Sequence, residues 1–282
     1  MKKTLFTILL FAGISGIVSA QLETPGPKIH IGLSTAINST FVLDQGLKTD
    51  PQYVTVTSFD LAPIGTSFGV DFSNKFGLQL EGIVANFTQV YNIVNNAQEI
   101  VGNREIAMQY LQLPLVMKFM SGGTGKARMN FMVGPQVNFL AQGQEIFEIL
   151  QAADNISVPE LAQADLPAGS TDYGDGTFYI PSEFSSEILS KNAIDPLETF
   201  KNQELHIVGG FGLDLDVGPK LYISMLVRAD YGITDMRNGD LIDQLQNKTL
   251  YDVTGARSNL ALGVQISLNY MFDGVRSFLV SR

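Results

Sequence analysis

Residues 258–272 read SNLALGVQISLNYMF. Leu260, Leu262, Val264, Ile266, Leu268, Tyr270 and Phe272 fall on one face, and Asn259, Ala261, Gly263, Gln265, Ser267, Asn269 and Met271 on the other. A two-residue period of this length is a β-strand with one apolar side and one polar side. The period recurs upstream in KIHIGLSTAIN (28–38), PIGTSFGVDFS (63–73), GLQLEGIVANFTQVY (77–91, blurred in its second half), YLQLPLVMKF (110–119), RMNFMVGPQVNFL (128–140), LHIVGGFGLDLDV (205–217) and LYISMLVRADY (221–231). With the closing stretch these predict eight strands.

The connections carry a second pattern. NK, SGGTGKA and GPK join strands two to three, four to five and six to seven, and all are dense in turn formers. The remaining gaps are long, the third running from about 142 to 203. Alternating short and long connections predict an all-β fold, an eight-stranded antiparallel up-and-down transmembrane β-barrel with long extracellular loops and short periplasmic turns. Closure gives every backbone N–H and C=O a partner inside the ring. Each strand is long enough for the roughly 9 to 11 residues a tilted membrane strand needs, so the apolar faces look at lipid.

The polar faces then line the lumen. Asp71, Glu81, Lys118, Arg128, Asp214, Asp216, Arg228 and Asp230 would each cost several kcal/mol in the apolar core of a soluble sandwich unless paired. In a barrel they have polar company. Strand direction puts Asp71, Glu81, Lys118, Arg128, Asp214 and Asp216 toward the periplasmic end, where an ion-pair cluster is expected, with Arg228 and Asp230 higher. Phe72, Phe119, Tyr270 and Phe272 fall where a periplasmic aromatic girdle should lie, and Phe139 and Tyr231 near the outer one.

Composition narrows the picture further. With no cysteine, disulfides, thiolate metal sites and lipoprotein anchoring are excluded. MKKTLFTILLFAGISGIVSAQ has the basic start, apolar run and small residues of a signal peptide cleaved after Ala20. That leaves a barrel over 21–272 and a tail over 273–282. Removing Lys2 and Lys3 from the 18 basic residues leaves 16 against 28 acidic ones, a net charge of −12. Such a surface disfavours nucleic acid.

No motif points to chemistry. SGGTGKA (Ser121–Ala127) lacks the first glycine and the final Ser or Thr of a phosphate loop and reads as a hairpin turn. His30 and His206, the two histidines, lie at opposite heights of the lumen and cannot share a metal. TDYGDGT, with Asp172 and Asp175, lacks Ca²⁺-loop spacing and reads as a solvated turn. No catalytic, cofactor-binding or metal residue is expected. In the acidic third loop, DPLE (Asp195–Glu198) and SVPE (Ser157–Glu160) have the arrangement of helix N-termini and predict short helices in a lid.

YLQLPLVMKF (Tyr110–Phe119), GPQVNFL (Gly134–Leu140), GGFGLDLDV (Gly209–Val217), VRADYGITDM (Val227–Met236) and NLALGVQISLNYMF resemble the PorT-like outer-membrane barrel proteins of the Bacteroidetes group. The resemblance covers the strands from about 28 to 272 and not the loops. It implies an eight-stranded barrel in the cell outer membrane, one branch of the group belonging to type IX protein secretion and gliding. The long third loop and the tail DGVRSFLVSR depart from that pattern.

The expected function is non-enzymatic. The barrel would have a lumen filled by side chains, outer-membrane lipid around it, and loops, chiefly 142–203 and 233–257, that bind a protein partner or shield the surface. The alternatives are a component of the type IX secretion machinery, a small-ligand uptake barrel, or a lipid-active barrel built around His206.

Overall fold

The computed structural model describes residues 27–121, 126–158, 166–174, 177–181, 184–191, 200–239 and 255–272. The signal-peptide stretch, Asp195–Glu198, Asp175 and the 273–282 tail lie outside them. In chain order the strands are β1 (Lys28–Asp44), β2 (Tyr53–Val56), β3 (Ser58–Asp71), β4 (Phe76–Val94), β5 (Ile100–Met120), β6 (Ala127–Ile149), β7 (Ala153–Ser157), β8 (Thr171–Asp172), β9 (Thr177–Ile180), β10 (Phe184–Lys191), β11 (Gln203–Asp216), β12 (Leu221–Gly232) and β13 (Arg257–Phe272).

Eight of these close an antiparallel ring in the order β1, β3, β4, β5, β6, β11, β12, β13. The closing seam runs from Ile29 opposite Phe272 to Asp44 opposite Arg257. All eight strands anticipated from the alternation are ring members, and their apolar faces point outward. Leu33, Ile37, Phe211 and Met129 are among the most exposed large apolar side chains of the described residues.

The strands β4, β5 and β6 run to 19, 21 and 23 residues, well beyond what a bilayer needs. Their polarity inverts on the way up. Phe76, Phe119 and Phe131 sit side by side on the outer face at the short-turn end, and Val84, Leu111 and Phe139 form its uppermost apolar row. In the next outward row stand Asn86, Gln109 and Gln142, with Gln109 Nε2 donating to Asn86 Oδ1 at 3.1 Å.

The inner face changes in the opposite sense, from Gln79, Glu81 and Gln112 below to Phe87, Tyr91, Ile93, Ile106 and Phe147 above, all buried. A β-bulge at Ala141 lies at the level of the change, where the register slips between Gln109 and Tyr110.

This inversion is why the second half of 77–91 looked blurred, and it corrects two expectations. The supposed long gap between the third and fourth strands is mostly strand, leaving only residues 95–99, where Asn95 Oδ1 accepts from the Ala97 and Glu99 N–H groups at 2.9 and 3.0 Å. The third loop likewise starts at 150, not 142, because β6 continues to Ile149.

Nor are the described parts of that loop helical. β10 extends the wall alongside β6, and β7, β9 and β8 form a separate three-stranded sheet. Ser157 ends β7, and Pro159 and Glu160 of the SVPE stretch lie outside the described residues. Ile156 and Val158 are buried on either side of Ser157 with strand periodicity, and a register shift separates them from buried Ala153.

Beyond the inversion the molecule is therefore a water-facing head with an apolar core. β2 pairs with β4, and the small sheet packs Ile156, Phe178 and Ile180 over Phe87, Tyr91, Phe147 and Ile149. Burying side chains of this size contributes about 1.5–3 kcal/mol each. Gln52 holds the small sheet to β2, its Nε2 donating to the Asn155 carbonyl at 2.6 Å and its Oε1 accepting from the Ser157 N–H at 2.7 Å.

One seam is short. β3 and β4 pair only from Ile64/Val84 to Asp71/Gly77. Above that the Asp60 carboxylate replaces the ladder, accepting from the Thr88 N–H at 2.7 Å and the Thr88 hydroxyl at 2.9 Å.

Candidate functional site

The lumen holds three tiers of polar contacts. In the lowest, Lys118 Nζ lies 2.8 Å from Asp214 Oδ2, and Arg128 Nη2 lies 2.8 Å from Asp216 Oδ1. Asn130 donates to Asp214 Oδ1 at 2.6 Å, and the Tyr222 ring lies 5.2 Å from the Lys118 ammonium and 5.6 Å from the Arg128 guanidinium. His30 Nε2 sits 3.5 Å from Asp71 Oδ1. Gly69 leaves room for that imidazole, since a Cβ there would meet the ring at 2.2 Å.

The middle tier spans the barrel. β4 and β12 stand on opposite sides of the ring, yet Arg228 Nη1 reaches Glu81 Oε2 at 2.5 Å while also donating to Gln265 Oε1 and, through Nη2, to Gln136 Oε1, each at 3.0 Å. Asp230 accepts from Gln112 and Gln136 at 2.9 and 2.6 Å and contacts His206 Nδ1 at 2.6 Å. His206 Nε2 lies 3.1 Å from Glu204. Glu204 in turn accepts from the Tyr110 hydroxyl and from Asn259. A cavity of about 20 Å³, room for about one water molecule, remains near Ser34, Ala62, Gln112 and Arg228.

The top tier is a belt of four charges beneath the apolar core. Arg257 donates to Asp44 at 2.5 Å and to Glu145 at 2.7 Å, and Arg104 meets the other oxygen of Glu145 at 2.5 Å. All four side chains are buried. Burial, and then the Asp44 carboxylate, push the nearby Tyr91 phenol upward, and its hydroxyl donates to the Val42 carbonyl.

Of the six charges expected at the periplasmic end, Asp71, Lys118, Arg128, Asp214 and Asp216 lie in the lowest tier around His30 and Tyr222, and Glu81 does not join them. Lys118, Arg128, Asp214 and Asp216 meet as two pairs. Asp71 turns to His30, and Glu81 crosses the lumen to Arg228. Asp230 belongs with His206. Height along a strand was readable, but the partner across the ring was not.

Asp44, Arg104, Glu145 and Arg257 were missed because each fell in a presumed loop. The available signal was the unbroken two-residue spacing of Arg104, Ile106, Met108 and Tyr110, which continues with its polarity reversed. His206 is wholly buried between two carboxylates. Ser121 closes the turn before β6 through bonds to Met129. Asp172 accepts from the Gly174 N–H at 2.7 Å, a turn bond.

The outer aromatics form a continuous row at the short-turn end. Phe72, Phe76, Phe119 and Phe131 follow one another at ring separations of 5.9, 5.6 and 6.3 Å, and Tyr270 and Phe272 touch at 4.8 Å. Phe139 lies in the topmost apolar row, and Tyr231 is exposed opposite Leu260.

The family model described as outer membrane protein beta-barrel domain matches residues 19–238. Among solved structures the chain is similar to OprG from Pseudomonas aeruginosa, with 12% identity over 89% of this chain and 98% of that one and a TM-score of 0.38. Neisserial surface protein A follows with 7% identity, 85% and 95% coverage and a TM-score of 0.37. Ail, the attachment invasion locus protein of Yersinia pestis, solved with the heparin analogue sucrose octasulfate, has 8% identity, 88% and 99% coverage and a TM-score of 0.34. No curated protein matches the chain in sequence.

Proposed function

Because the chain belongs to the outer membrane protein β-barrel family and resides in the outer membrane, we propose that it works as a non-enzymatic surface protein whose extracellular head binds a protein partner. The observation that carries this reading is the lumen. Side chains bridge it across opposite walls at Glu81–Arg228 and Tyr110–Asn259, and the apolar core closes it above. An eight-stranded ring leaves an interior that side chains fill, and here they fill it with paired charges, a poor conduit. The tall strands instead hold β2, β10 and the small sheet clear of the membrane as a folded platform.

Two measurements test this. The purified protein in planar bilayers should give no steady conductance, and a photo-crosslinker at Tyr173, exposed in the head, should capture a defined protein on intact cells. Large stable currents, or crosslinks only to lipid, would reject it. The five segments that resemble PorT-like barrels support the finer assignment to that group and to type IX secretion. Normal protein export and surface motility in a deletion strain would dismiss the secretion role.

A further inference from the structure

Above the inversion, the outer face of β4, β5 and β6 is a wall of carboxamides. From the first row, Asn86, Gln109 and Gln142, it rises past Gln144 to Asn92 and Asn103. From Asn86 to Asn92 that is about 20 Å of strand at about 3.4 Å per residue. None of these side chains is buried, and Gln142 and Gln144 are exposed.

Half of the amides have no bond within the chain. Gln109 donates to Asn86 at 3.1 Å and Asn103 to Glu148 at 3.2 Å, whereas the side chains of Asn92, Gln142 and Gln144 make no hydrogen bond among the described residues. Val90, Ala107 and Ile146 stand between the amides on the same face and leave it low and flat. Each carboxamide carries two donors beside an acceptor, a set that neighbouring hydroxyls of a sugar ring complete. The apolar side chains suit the C–H face of such a ring.

The same wall is ill suited to other ligands. Its outward positions hold no Lys or Arg, and its charges are the carboxylates of Glu105 and Glu148, so phosphate would be repelled. They also hold no aromatic residue, and protein partners are gripped chiefly through aromatic and Arg anchors. Position names the source of the sugar. The first amide row directly follows Val84, Leu111 and Phe139, the last apolar row, so the wall begins at headgroup level on the long-loop side, which faces outward. We propose that this wall binds the uncharged sugars of glycolipids in the extracellular leaflet.

The test uses the full-length protein in phosphatidylcholine vesicles doped equally with digalactosyl diacylglycerol and phosphatidylglycerol. After extraction in mild detergent, the lipid that stays with the protein is measured by mass spectrometry. The wild type should retain the galactolipid roughly tenfold over phosphatidylglycerol, the preference that about two net hydrogen bonds give. Combined Q109A, Q142A and Q144A should bring the ratio close to one while the unheated barrel keeps its gel mobility. Q151A, an exposed amide beyond the end of β6, should leave the ratio unchanged. If the triple variant does not insert, Q142A and Q144A separately should each lower the ratio in part. Equal retention of the two lipids by the wild type, or survival of the preference in the folded variants, would overturn the proposal. So would its removal by millimolar free galactobiose, which would indicate a site for soluble glycan instead.

Discussion

Glu145→Ala should be the most damaging single change in the head. Glu145 is wholly buried and accepts from both Arg104 and Arg257. Breaking one buried ion pair costs about 3–5 kcal/mol, since the remaining charge stays out of water. Arg257 keeps Asp44, so the loss should lie near the single-pair figure, about 4 kcal/mol, and not twice that. A Glu145→Gln variant, which keeps an acceptor oxygen, should lose roughly half as much. Replacing Arg104 and Glu145 together by Met should return most of the stability, because Ile106 and Phe147 already make that level apolar and an apolar swap for a buried pair is often neutral. The chain has no tryptophan, so urea unfolding in vesicles is best followed by far-UV circular dichroism and by the gel mobility of the unheated barrel. Stability of Glu145→Ala within about 1 kcal/mol of the wild type, or a double variant as weak as the single one, would refute the view of the belt as a dry, paired layer.

Leu113→Arg, facing outward in the apolar band, should cost about 2–4 kcal/mol, whereas Gln109→Arg on the same face of the same strand should cost about 0–1 kcal/mol; similar losses in urea titrations would contradict the inversion of polarity. Asp60→Ala removes both bonds to Thr88 and should accelerate hydrogen exchange at the Thr88 amide while lowering stability by about 1–3 kcal/mol; unchanged exchange would show that the clip is idle. Tyr173 donates to Asp154, and that hydrogen bond raises its phenol above the ordinary tyrosine range. Ultraviolet difference titration should therefore show that Asp154→Asn returns one of the late phenols to the ordinary range. The linked stabilisation is complete below the unfolded phenol's pKa and disappears as pH rises through the raised folded value; identical titrations of the two proteins would rule out the bond.

Where one face of a strand met lipid and the other met the filled lumen, its alternation was legible from residues alone. β13 is the clearest case: Leu260 to Phe272 point out and Asn259 to Met271 point in, with no exception. Reading failed at the height where the outer solvent changes from oil to water, because the rule that apolar means outward reverses there while the backbone continues unchanged. Arg104 and Glu145 sit in extended strands as regular as those below, but they share the inner face with Ile106 and Phe147, so no single face looked polar. Partners such as Glu81 and Arg228 were out of reach for another reason: strand order fixes neighbours, but contacts across the diameter depend on side-chain length and on what else fills the middle.

The row of Asn86, Gln109 and Gln142 also fixes how deeply the molecule floats. From Leu111 to Phe119 the outer face rises about 20 Å at about 3.4 Å per residue and a tilt near 45°. Sliding up or down by a single pair of residues would either drown three amides in oil or lift Val84, Leu111 and Phe139 into water. The chain therefore has one draught, suited to a thin bilayer such as the bacterial outer membrane. A thicker host must pinch inward around it, which makes short acyl chains the natural choice of lipid for reconstitution.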